Sequence, residues 1–562
     1  MAAPCVIYLG SSDIGLKHNP FGKDVANLGL YRALARYAPG DELPFLSFQR
    51  MDSSDVAAEL YEGTTPSKTI ATTSIFNADA IAAAGTLVRA SCDISDLAWL
   101  RRHGGDRVYS ISGLIHSLAP PAMRDYIARV ITAPIQPWDT IWCSSPSVRG
   151  ALATMYEEYA DFLAGRFGGA GAKPRPFPAM PVIPLGVEVD EIQNRLANAG
   201  TRAAMRTELN IADDEIVVLW VGRLSFFEKA HPVSMFTALE ETAKRTGAKI
   251  RMLNVGWFPG GDLHLEVYEE AARNHAPSVK VDFLDGNKRR FVDRVWGAAD
   301  IFISLVDNIQ ETFGITPIEA MAAGLPLVMS DWDGYRASAT NGVEGFLIPT
   351  LMPPPGSGWL MGQRHVLHMD SYQGYAGAVS MHTAVDIGAA ATALEALVRE
   401  PDLRRRMGEA GKVRARSMFN WPDVIEKLCA HWTEQGERRR TDSSNDAEPE
   451  QFRTSSIKGD PYTHFQGFAT TSLAPSTVIS IRVEDPRAAL QAVNATRMNL
   501  IMDRFRAVGP DGALEHLISN GASRVDDLAT TLERPLDEIE RLVVWMAKVG
   551  LVSWSDGESE DA

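Results

Sequence analysis

Short apolar runs alternate with helical patterns through the first part of the chain. CVIYLG at 5–10, RVYSISGL at 107–114 and TIWCSS at 140–145 have the length and composition of buried strands. Residues 25–37 repeat their apolar side chains at helical spacing. Buried strands separated by amphipathic helices predict βαβ units and a parallel sheet.

A second series of the same kind begins near residue 210. It predicts strands at 215–224, 249–257, 279–286, 300–306 and 325–331, with helices at 235–246 and 317–323. Between the two series, the Gly- and Pro-rich residues 165–181 predict a loop, and 182–190 predict a strand that leads into a crossover. The fold class is therefore α/β, with Rossmann-like doubly wound domains at 1–200 and 201–434. Such folds bind ligands beyond the carboxyl ends of their strands.

The sequence pattern and composition change after the second series. Residues 387–432 have a helical pattern, and the charged, Ser-rich residues 435–459 have the composition of a linker. From 460 to 562, apolar stripes at helical spacing precede a final GLVSW. This pattern predicts three short helices and a strand, which together form a small winged-helix-like interaction module.

The overall charge argues against two classes of partner. The 562 residues carry a formal net charge of −16, and 441–562 hold 20 acidic against 11 basic residues. Nucleic acids and anionic membranes attract positive proteins, so neither is expected as a partner. No signal peptide or membrane-spanning run is evident, and the four scattered cysteines lack metal-ligand spacing. We therefore expect a cytoplasmic protein with reduced thiols.

The stretch 311–326, ETFGITPIEAMAAGLP, contains the signals of a helix start and a helix end. Pro317 suits the first helical turn, Thr316 can cap it, and Gly324 suits its end. Thr316 with Glu319 also fits a capping box, which needs no ligand. A structural role and a ligand-binding role therefore both stay open for Glu319.

The same stretch predicts an anion site. The backbone amides of Phe313, Gly314 and Ile315 would lie at the helix N-terminus, where unpaired N–H groups and the helix dipole favour negative charge. Glu311 precedes the helix and Glu319 lies within it, so both can approach one ligand.

A basic cluster follows the strongest predicted strand. Gly222 and Arg223 stand at the end of this strand, and Lys229 comes six residues after Arg223. Two cations beyond the carboxyl end of a strand are well placed to neutralise a diphosphate. The alternative is an ordinary solvated basic loop, which loses weight because such folds bind ligands at this edge.

These residues resemble the family-4 retaining glycosyltransferases of the GT-B fold. Glu311 and Glu319 match the E-x7-E motif of the family, and ETFGITPIEAMAAGLPLVMSDWDGYR is similar to its donor-site signature. VGRL followed by Lys229 looks like its diphosphate pair, with one residue more than usual between the cations. The resemblance is specific over 215–432, weaker over 1–200, and does not cover the tail after 440.

The resemblance implies a role for each matching position. Arg223 and Lys229 would bind the donor diphosphate and stabilise the leaving group, Glu311 would contact the donor sugar, and Glu319 would bind the ribose. The amides of Phe313, Gly314 and Ile315 would hold sugar or phosphate oxygens.

The resemblance also implies residues in the N-terminal domain. Gly22 in NPFGKD would correspond to the first glycine-rich loop, where the family usually has paired glycines. His116 in ISGLIHSLA resembles the family histidine near the reacting sugar. Asp331-Trp-Asp333 is the single candidate for a metal-binding Asp-x-Asp, and we interpret it as a sugar-side or structural loop. No metal is expected.

The sequence hypothesis is a retaining glycosyltransferase that uses a UDP- or GDP-sugar. Its acceptor is unknown and could be a peptide or protein, because the tail faintly resembles the winged-helix peptide-recognition domains of peptide-modifying enzymes. The alternative is a degenerate nucleotide-sugar-binding scaffold or sensor that acts through the tail. A packing or dimerisation role also stays open for the tail.

Overall fold

A computed structural model describes residues 4–10, 14, 21–48, 51–168, 177–197, 201–442, 455, 458–495 and 509–555. The chain divides into two compact units, Met1–Thr454 and Ser455–Ala562. The four cysteines are free thiols, three of them buried.

The first six strands of unit 1 form one parallel sheet. They are β1 (Val6–Leu9), β2 (Glu42–Ser47), β3 (Thr69–Ser74), β4 (Thr86–Arg89), β5 (Ser110–Leu114) and β6 (Thr140–Trp142), in the order β3-β2-β1-β4-β5-β6. The helices that connect and follow them are α1 (Gly22–Tyr37), α2 (Ser53–Tyr61), α3 (Ala78–Ala84), α4 (Ser95–Arg101), α5 (Pro121–Thr132) and α6 (Pro146–Arg166). The strands predicted at 5–10, 107–114 and 140–145 are therefore confirmed as β1, β5 and β6.

The next six strands form a second parallel sheet with the same topology. They are β7 (Glu215–Val221), β8 (Lys249–Gly256), β9 (Lys280–Asp285), β10 (Ile301–Ser304), β11 (Leu327–Ser330) and β12 (Gly345–Ile348), in the order β12-β11-β10-β7-β8-β9. The helices of this part up to β12 are α7 (Val189–Ala197), α8 (Thr201–Glu208), α9 (Pro232–Thr246), α10 (Asp262–His275), α11 (Arg289–Val295), α12 (Ile315–Ala323) and α13 (Tyr335–Ser338). The predicted pair of doubly wound domains is confirmed.

Each sheet reverses its strand order between its first and fourth strands. In a doubly wound sheet, the crevice at this switch point is the usual ligand site. The relevant crevices lie beyond the carboxyl ends of β1 and β4 and of β7 and β10. Thr312, in the loop after β10, donates its hydroxyl to the carbonyl of His116, which follows β5. The carboxyl ends of the two sheets therefore meet within unit 1.

The strand predicted at 182–190 is wrong. This segment makes only isolated bridges, Val182 with Cys143 and Val187 with Asn420, and α7 begins at Val189. Pro184 lacks the amide that a ladder needs, and a Cβ on Gly186 would lie 2.5 Å from the Trp421 ring. The segment is therefore a close-packed crossover between the domains.

Unit 1 continues with β13 (Thr350–Leu351), α14 (Trp359–Val366), α15 (Tyr372–Ser380), β14 (Ala384–Val385), α16 (Ile387–Arg399), α17 (Pro401–Phe419) and α18 (Trp421–Thr441). The predicted boundary at 434 and the linker start at 435 are wrong, because α18 runs to Thr441 and packs on the N-terminal sheet. Trp432 donates its indole N–H to Ser112 at 3.0 Å, and Arg439 donates to Ser110 at 3.0 Å. Residues 443–454 of the predicted linker lie outside the described residues.

Unit 2 contains α19 (Pro461–His464), β15 (Val478–Ile481), α20 (Pro486–Asn494), α21 (Asp511–Asn520), β16 (Ser523–Arg524), α22 (Val525–Thr531), α23 (Leu536–Lys548) and β17 (Val552–Ser555). Its strands form an antiparallel sheet in the order β16-β15-β17. The predicted apolar stripes form its core, with Leu514, Leu517, Leu528, Ile539 and Val543 buried. The winged-helix assignment itself stays a prediction.

Candidate functional site

Helix α12 begins directly after a glycine and not after a capping hydroxyl. Its N-cap is Gly314, with φ +81°, and no side chain caps it. Thr316 lies inside the first turn, so the capping box predicted for Thr316 and Glu319 is wrong. Because the first turn has no side-chain cap, the amides at this N-terminus are suited to an anion.

Gly314 is required by what packs against it. A Cβ at this position would lie 2.0 Å from the Tyr335 ring. The Tyr335 hydroxyl is itself fixed by Ser304, 2.9 Å away, at the end of β10. The loop before α12 is therefore held in one conformation by a fully buried tyrosine.

Gly314→Ala is expected to destabilise unit 1 by at least about 3 kcal/mol, because the added methyl meets both an unfavourable φ and the Tyr335 ring. Gly342→Ala is the matched control, since Gly342 has the same φ of +81° but nothing within 4 Å of its Cβ position. It should cost only the backbone strain, about 1–2 kcal/mol. Thermal unfolding measures both variants, and equal losses would contradict the role given to Tyr335.

The predicted cations lie beyond the carboxyl end of β7 and next to the loop before α12. Lys229 forms an ion pair with Glu311, and the Lys229 side chain is 20 % exposed. Arg223 pairs with Glu228 at 3.0 Å, and the Glu228 side chain is 3 % exposed. Lys229 and Glu311 are therefore brought together by the fold, while Arg223 is positioned by a buried carboxylate of the same loop.

The N-terminal domain also contacts Arg223. The guanidinium carbon of Arg223 lies 5.0 Å from the centre of the Phe21 ring, and Phe21 meets Trp257 edge-on at 6.0 Å. Phe21 is the N-cap of α1, so it directly precedes Gly22. A cation over an aromatic face is stabilised by the ring quadrupole. In the sequence, Phe21 stands out only because the family usually has a glycine at that place in the loop. The sequence does not indicate that Phe21 contacts Arg223.

Gly22 itself is the first residue of α1, and a Cβ there would meet nothing within 4 Å. Open space beside a helix N-terminus is compatible with its predicted ligand-binding role. Pro20 of the same NPFGKD segment lies outside the described residues.

Glu319 lies one turn into α12 and is half-buried. Burial and the charge of Asp293 raise its pKa to about 7, while Arg289 and Arg195 act in the opposite direction.

Phe313 differs from the other predicted residues because its side chain is buried against Phe419, with ring centres 6.0 Å apart. Only the backbone of Phe313 is then available to a ligand.

Glu319→Gln is expected to remove part of the pH dependence of stability. Between the ordinary pKa of 4.5 and the raised pKa of about 7, the folded state holds a proton on Glu319 that the unfolded state releases. Raising the pH through this window therefore destabilises the ligand-free wild-type protein by up to about 3 kcal/mol, and the uncharged glutamine side chain of the variant should abolish this loss. Thermal unfolding at pH 5, 6.5 and 8 measures the difference. The exposed Glu266→Gln serves as control, and parallel pH profiles for wild type and Glu319→Gln would contradict the assignment.

The backbone of His116 contacts the loop before α12, and an asparagine side chain fixes the His116 ring. Its Nε2 is 2.6 Å from Asn27 Oδ1, and its carbonyl accepts the Thr312 hydroxyl at 2.5 Å. Burial is the main cause that lowers its pKa to about 4, and the charge of Lys23 adds to it. At neutral pH His116 is therefore an uncharged hydrogen-bonding group.

A segment between β13 and β14 supplies a further residue to the cleft. The Tyr372 hydroxyl hydrogen-bonds Gln310, the residue before Glu311, and lies beside Ser117, the residue after His116. Helix α15 is anchored at its other end by the Ser380 hydroxyl, which donates to Asp307 at 2.8 Å. No motif in the sequence indicated Tyr372, because the contact joins segments that are far apart in the chain.

Metal-ligand clusters and membrane-spanning helices are not found among the described residues. Over these ranges, no three His, Cys, Asp or Glu side chains lie close enough together to hold a metal ion. Asp331 of the candidate Asp-x-Asp pairs with Arg336 at 2.8 Å. Within the same ranges, no helix has both the length and the apolar character needed to cross a bilayer.

The chain matches a known protein family through its second sheet. The family model "Glycosyl transferases group 1" matches residues 201–351. D-inositol 3-phosphate glycosyltransferase of Nocardia farcinica is 32% identical over 168 residues, which are 30% of this chain and 36% of that protein. Spore coat protein SA of Bacillus subtilis is 24% identical over 288 residues, or 50% of this chain and 63% of that protein. The match to the first of these relatives thus spans about a third of its length.

Solved structures are similar over a larger share of the chain but at low identity. Anabaena HepE in complex with UDP and glucose has 13% identity and a TM-score of 0.47, covering 77% of this chain and 99% of that one. A glycosyltransferase from Rickettsia africae has 14% identity and a TM-score of 0.49, covering 77% and 98%. The fold described above rests on the topology of this chain itself. Residues 201–351, which hold Arg223, Lys229, Glu311 and Glu319, form a glycosyl transferases group 1 domain.

Proposed function

We propose that this chain is a retaining glycosyltransferase that moves a sugar from a UDP- or GDP-sugar to an acceptor. The observation that carries the proposal is the ion pair of Lys229 with Glu311, three residues before the uncapped N-terminus of α12, with Arg223 held in the same loop as Lys229. This arrangement lies inside the segment that matches the group 1 glycosyl transferases.

The proposed chemistry follows from where charge develops. When the glycosidic bond to the diphosphate breaks, negative charge grows on the leaving group. Once the donor is bound, Arg223, Lys229 and the α12 amides would stabilise this charge from fixed positions, and such preorganised stabilisation is usually the largest single contribution to a rate enhancement. In the ligand-free state Lys229 pairs with Glu311, so donor binding would exchange this partner for the diphosphate and release Glu311 for the sugar.

Arg223, Lys229 and the N-terminus of α12 together support a metal-independent reaction. Two cations and a helix N-terminus supply the positive charge that a divalent ion otherwise gives to a diphosphate. The proposal therefore includes no metal cofactor, and chelation should leave the activity unchanged.

The acceptor is proposed to be a peptide or protein recognised by unit 2. This unit exposes Tyr462, Phe468 and Trp554 to solvent by 73%, 86% and 59%. Large exposed aromatic side chains are typical of protein-recognition surfaces. The acidic balance of the tail, with 20 acidic and 11 basic residues over 441–562, disfavours a nucleic-acid acceptor.

A donor screen tests the reaction. Purified full-length protein is mixed with UDP- and GDP-sugars, with and without EDTA, and nucleotide release is followed. Slow release from one donor, unchanged by EDTA and lost in Glu311→Ala, is the expected result. Binding of a donor without any release would instead support the nucleotide-sugar sensor, and absence of both binding and release would overturn the proposal.

A second experiment tests the stereochemistry and the acceptor. The donor found in the screen is offered separately with a peptide library and with D-inositol 3-phosphate, the compound in the name of the Nocardia farcinica relative. NMR of the product reports the anomeric configuration, and an inverted product would contradict retention. Transfer to D-inositol 3-phosphate and not to any peptide would contradict the peptide acceptor.

A further inference from the structure

The segment from Trp332 to Tyr335 wraps around the loop that precedes α12. Trp332 donates its indole N–H to the carbonyl of Asn308 at 3.0 Å. Gly334 packs on the backbone of this loop so closely that a Cβ would lie 2.2 Å from the Thr312 carbonyl oxygen. With Tyr335 against Gly314, three of the four residues hold the candidate donor loop in place.

Asp333 is the one residue of this segment that does not hold the loop before α12 in place. Within the described ranges, its carboxylate makes no side-chain hydrogen bond and no ion pair, and its one polar contact is the adjacent amide of Gly334. It is half-buried, and burial together with the nearby charge of Glu311 raises its pKa to about 8. A carboxyl group in such surroundings lacks the partners that buried acids ordinarily have.

The backbone of Asp333 is also strained. Its φ is +41°, in the left-handed region that favours glycine. Its carbonyl accepts the hydroxyl of Ser147 at 3.0 Å, so this position lies where the N-terminal domain meets the candidate donor loop. Strained residues that persist at such a junction are commonly functional.

We propose that Asp333 is a substrate-binding residue that accepts a hydrogen bond from a hydroxyl group of the transferred sugar. This inference rests on the proposed glycosyltransferase function. At neutral pH the Asp333 carboxyl group is largely protonated and lies beside the negative charge of Glu311, so it offers no positive charge to a diphosphate and the diphosphate itself is not its ligand. A sugar offers hydroxyl donors and no charge, and the proposed function already assigns the neighbouring Glu311 to the sugar. Asp333 and Glu311 would then face the same glycosyl group from two loops.

The test compares a nucleotide with its nucleotide-sugar. Calorimetric titration of wild type and Asp333→Asn uses UDP and GDP alone and the UDP- and GDP-sugars. Asn tolerates the left-handed backbone and keeps the side-chain shape, so mainly one acceptor oxygen is lost. We expect Asp333→Asn to weaken the nucleotide-sugar about tenfold and the nucleotide less than twofold.

Two further variants separate the carboxylate from the backbone. Asp333→Gly relieves the positive φ, so it should show the same selective loss while its melting temperature stays equal or rises. Asp331→Asn is the control, because this carboxylate belongs to the same loop but pairs with Arg336. It should leave both affinities unchanged.

Each outcome has a defined meaning. Equal weakening of both ligands, or no weakening of either, would overturn the assignment of Asp333 while leaving the proposed function intact. A wild-type protein that binds neither the nucleotides nor their sugars would overturn the proposed function itself.

Discussion

Replacing Arg223 by alanine is expected to lower kcat/KM for donor turnover by about 10²- to 10³-fold, close to 3–4 kcal/mol of transition-state stabilisation. The loss should be this large because the guanidinium is fixed before the donor arrives. The buried Glu228 carboxylate pairs with the guanidinium at 3.0 Å, and the guanidinium lies over the Phe21 ring. A preorganised cation costs no reorganisation when negative charge develops on the leaving diphosphate.

Arg223→Lys separates charge from geometry. Lysine keeps the positive charge but lacks the planar fork that binds two oxygens at once, and it would not stack on Phe21 in the same way. We therefore expect it to recover only part of the lost turnover. Nucleotide release with the donor identified in the screen measures all variants.

Arg273→Ala is the matched control for Arg223→Ala. Arg273 lies on α10 in the same domain, and its side chain is 68% exposed. Its removal should change turnover less than twofold. If Arg223→Ala retained turnover within threefold of wild type, Arg223 would have no role in stabilising the leaving group.

The sequence predicted those parts of the site that lie in contiguous stretches. Arg223 and Lys229 follow a strong apolar strand, and Glu311 to Glu319 span a loop and a helix start, so their order along the chain already indicates an anion site. The contacts of Phe21 with Arg223 and of Tyr372 with Gln310 join residues that are distant in sequence. Such contacts depend on how the domains pack, which periodicity does not encode.

The errors in the predicted fold have the same origin. Residues 182–190 are apolar enough for a strand, but Pro184 and the tight approach of Gly186 to Trp421 prevent a ladder. Residues 435–441 are charged enough for a linker, yet Arg439 is 8% exposed because Ser110 accepts its guanidinium N–H. In both cases the tertiary partner, and not the local composition, decides the structure.

Asp139→Asn is expected to lower the free energy of unfolding of unit 1 by about 3–5 kcal/mol, because it leaves a buried arginine without its counter-charge. The side chains of Arg101 and Asp139 are both 0% exposed. They form a two-pronged pair, with N–O distances of 2.5 and 2.8 Å. An amide keeps the shape of the carboxylate, but it is uncharged and has one acceptor oxygen where the carboxylate has two.

The same carboxylate also ties backbone segments together. Asp139 accepts the amides of Ile111 at 2.9 Å and Gln136 at 2.7 Å, which links β5 to the loop before β6. Because β5 leads to His116, this network supports the N-terminal side of the candidate site from a distance. Removing its charge should therefore reduce stability far more than it changes donor affinity at low temperature.

Calorimetric unfolding of the full chain measures this effect, with Arg399→Gln as the control. Arg399 pairs with Glu395 at 2.9 Å one turn away on α16, and its side chain is 52% exposed. An exposed pair of this kind contributes about 0.5 kcal/mol or less. A loss for Asp139→Asn no larger than that of Arg399→Gln would mean that the buried arginine finds other partners. A large loss with unchanged nucleotide affinity would assign the pair to the stability of the domain and leave the chemistry to Arg223 and Lys229.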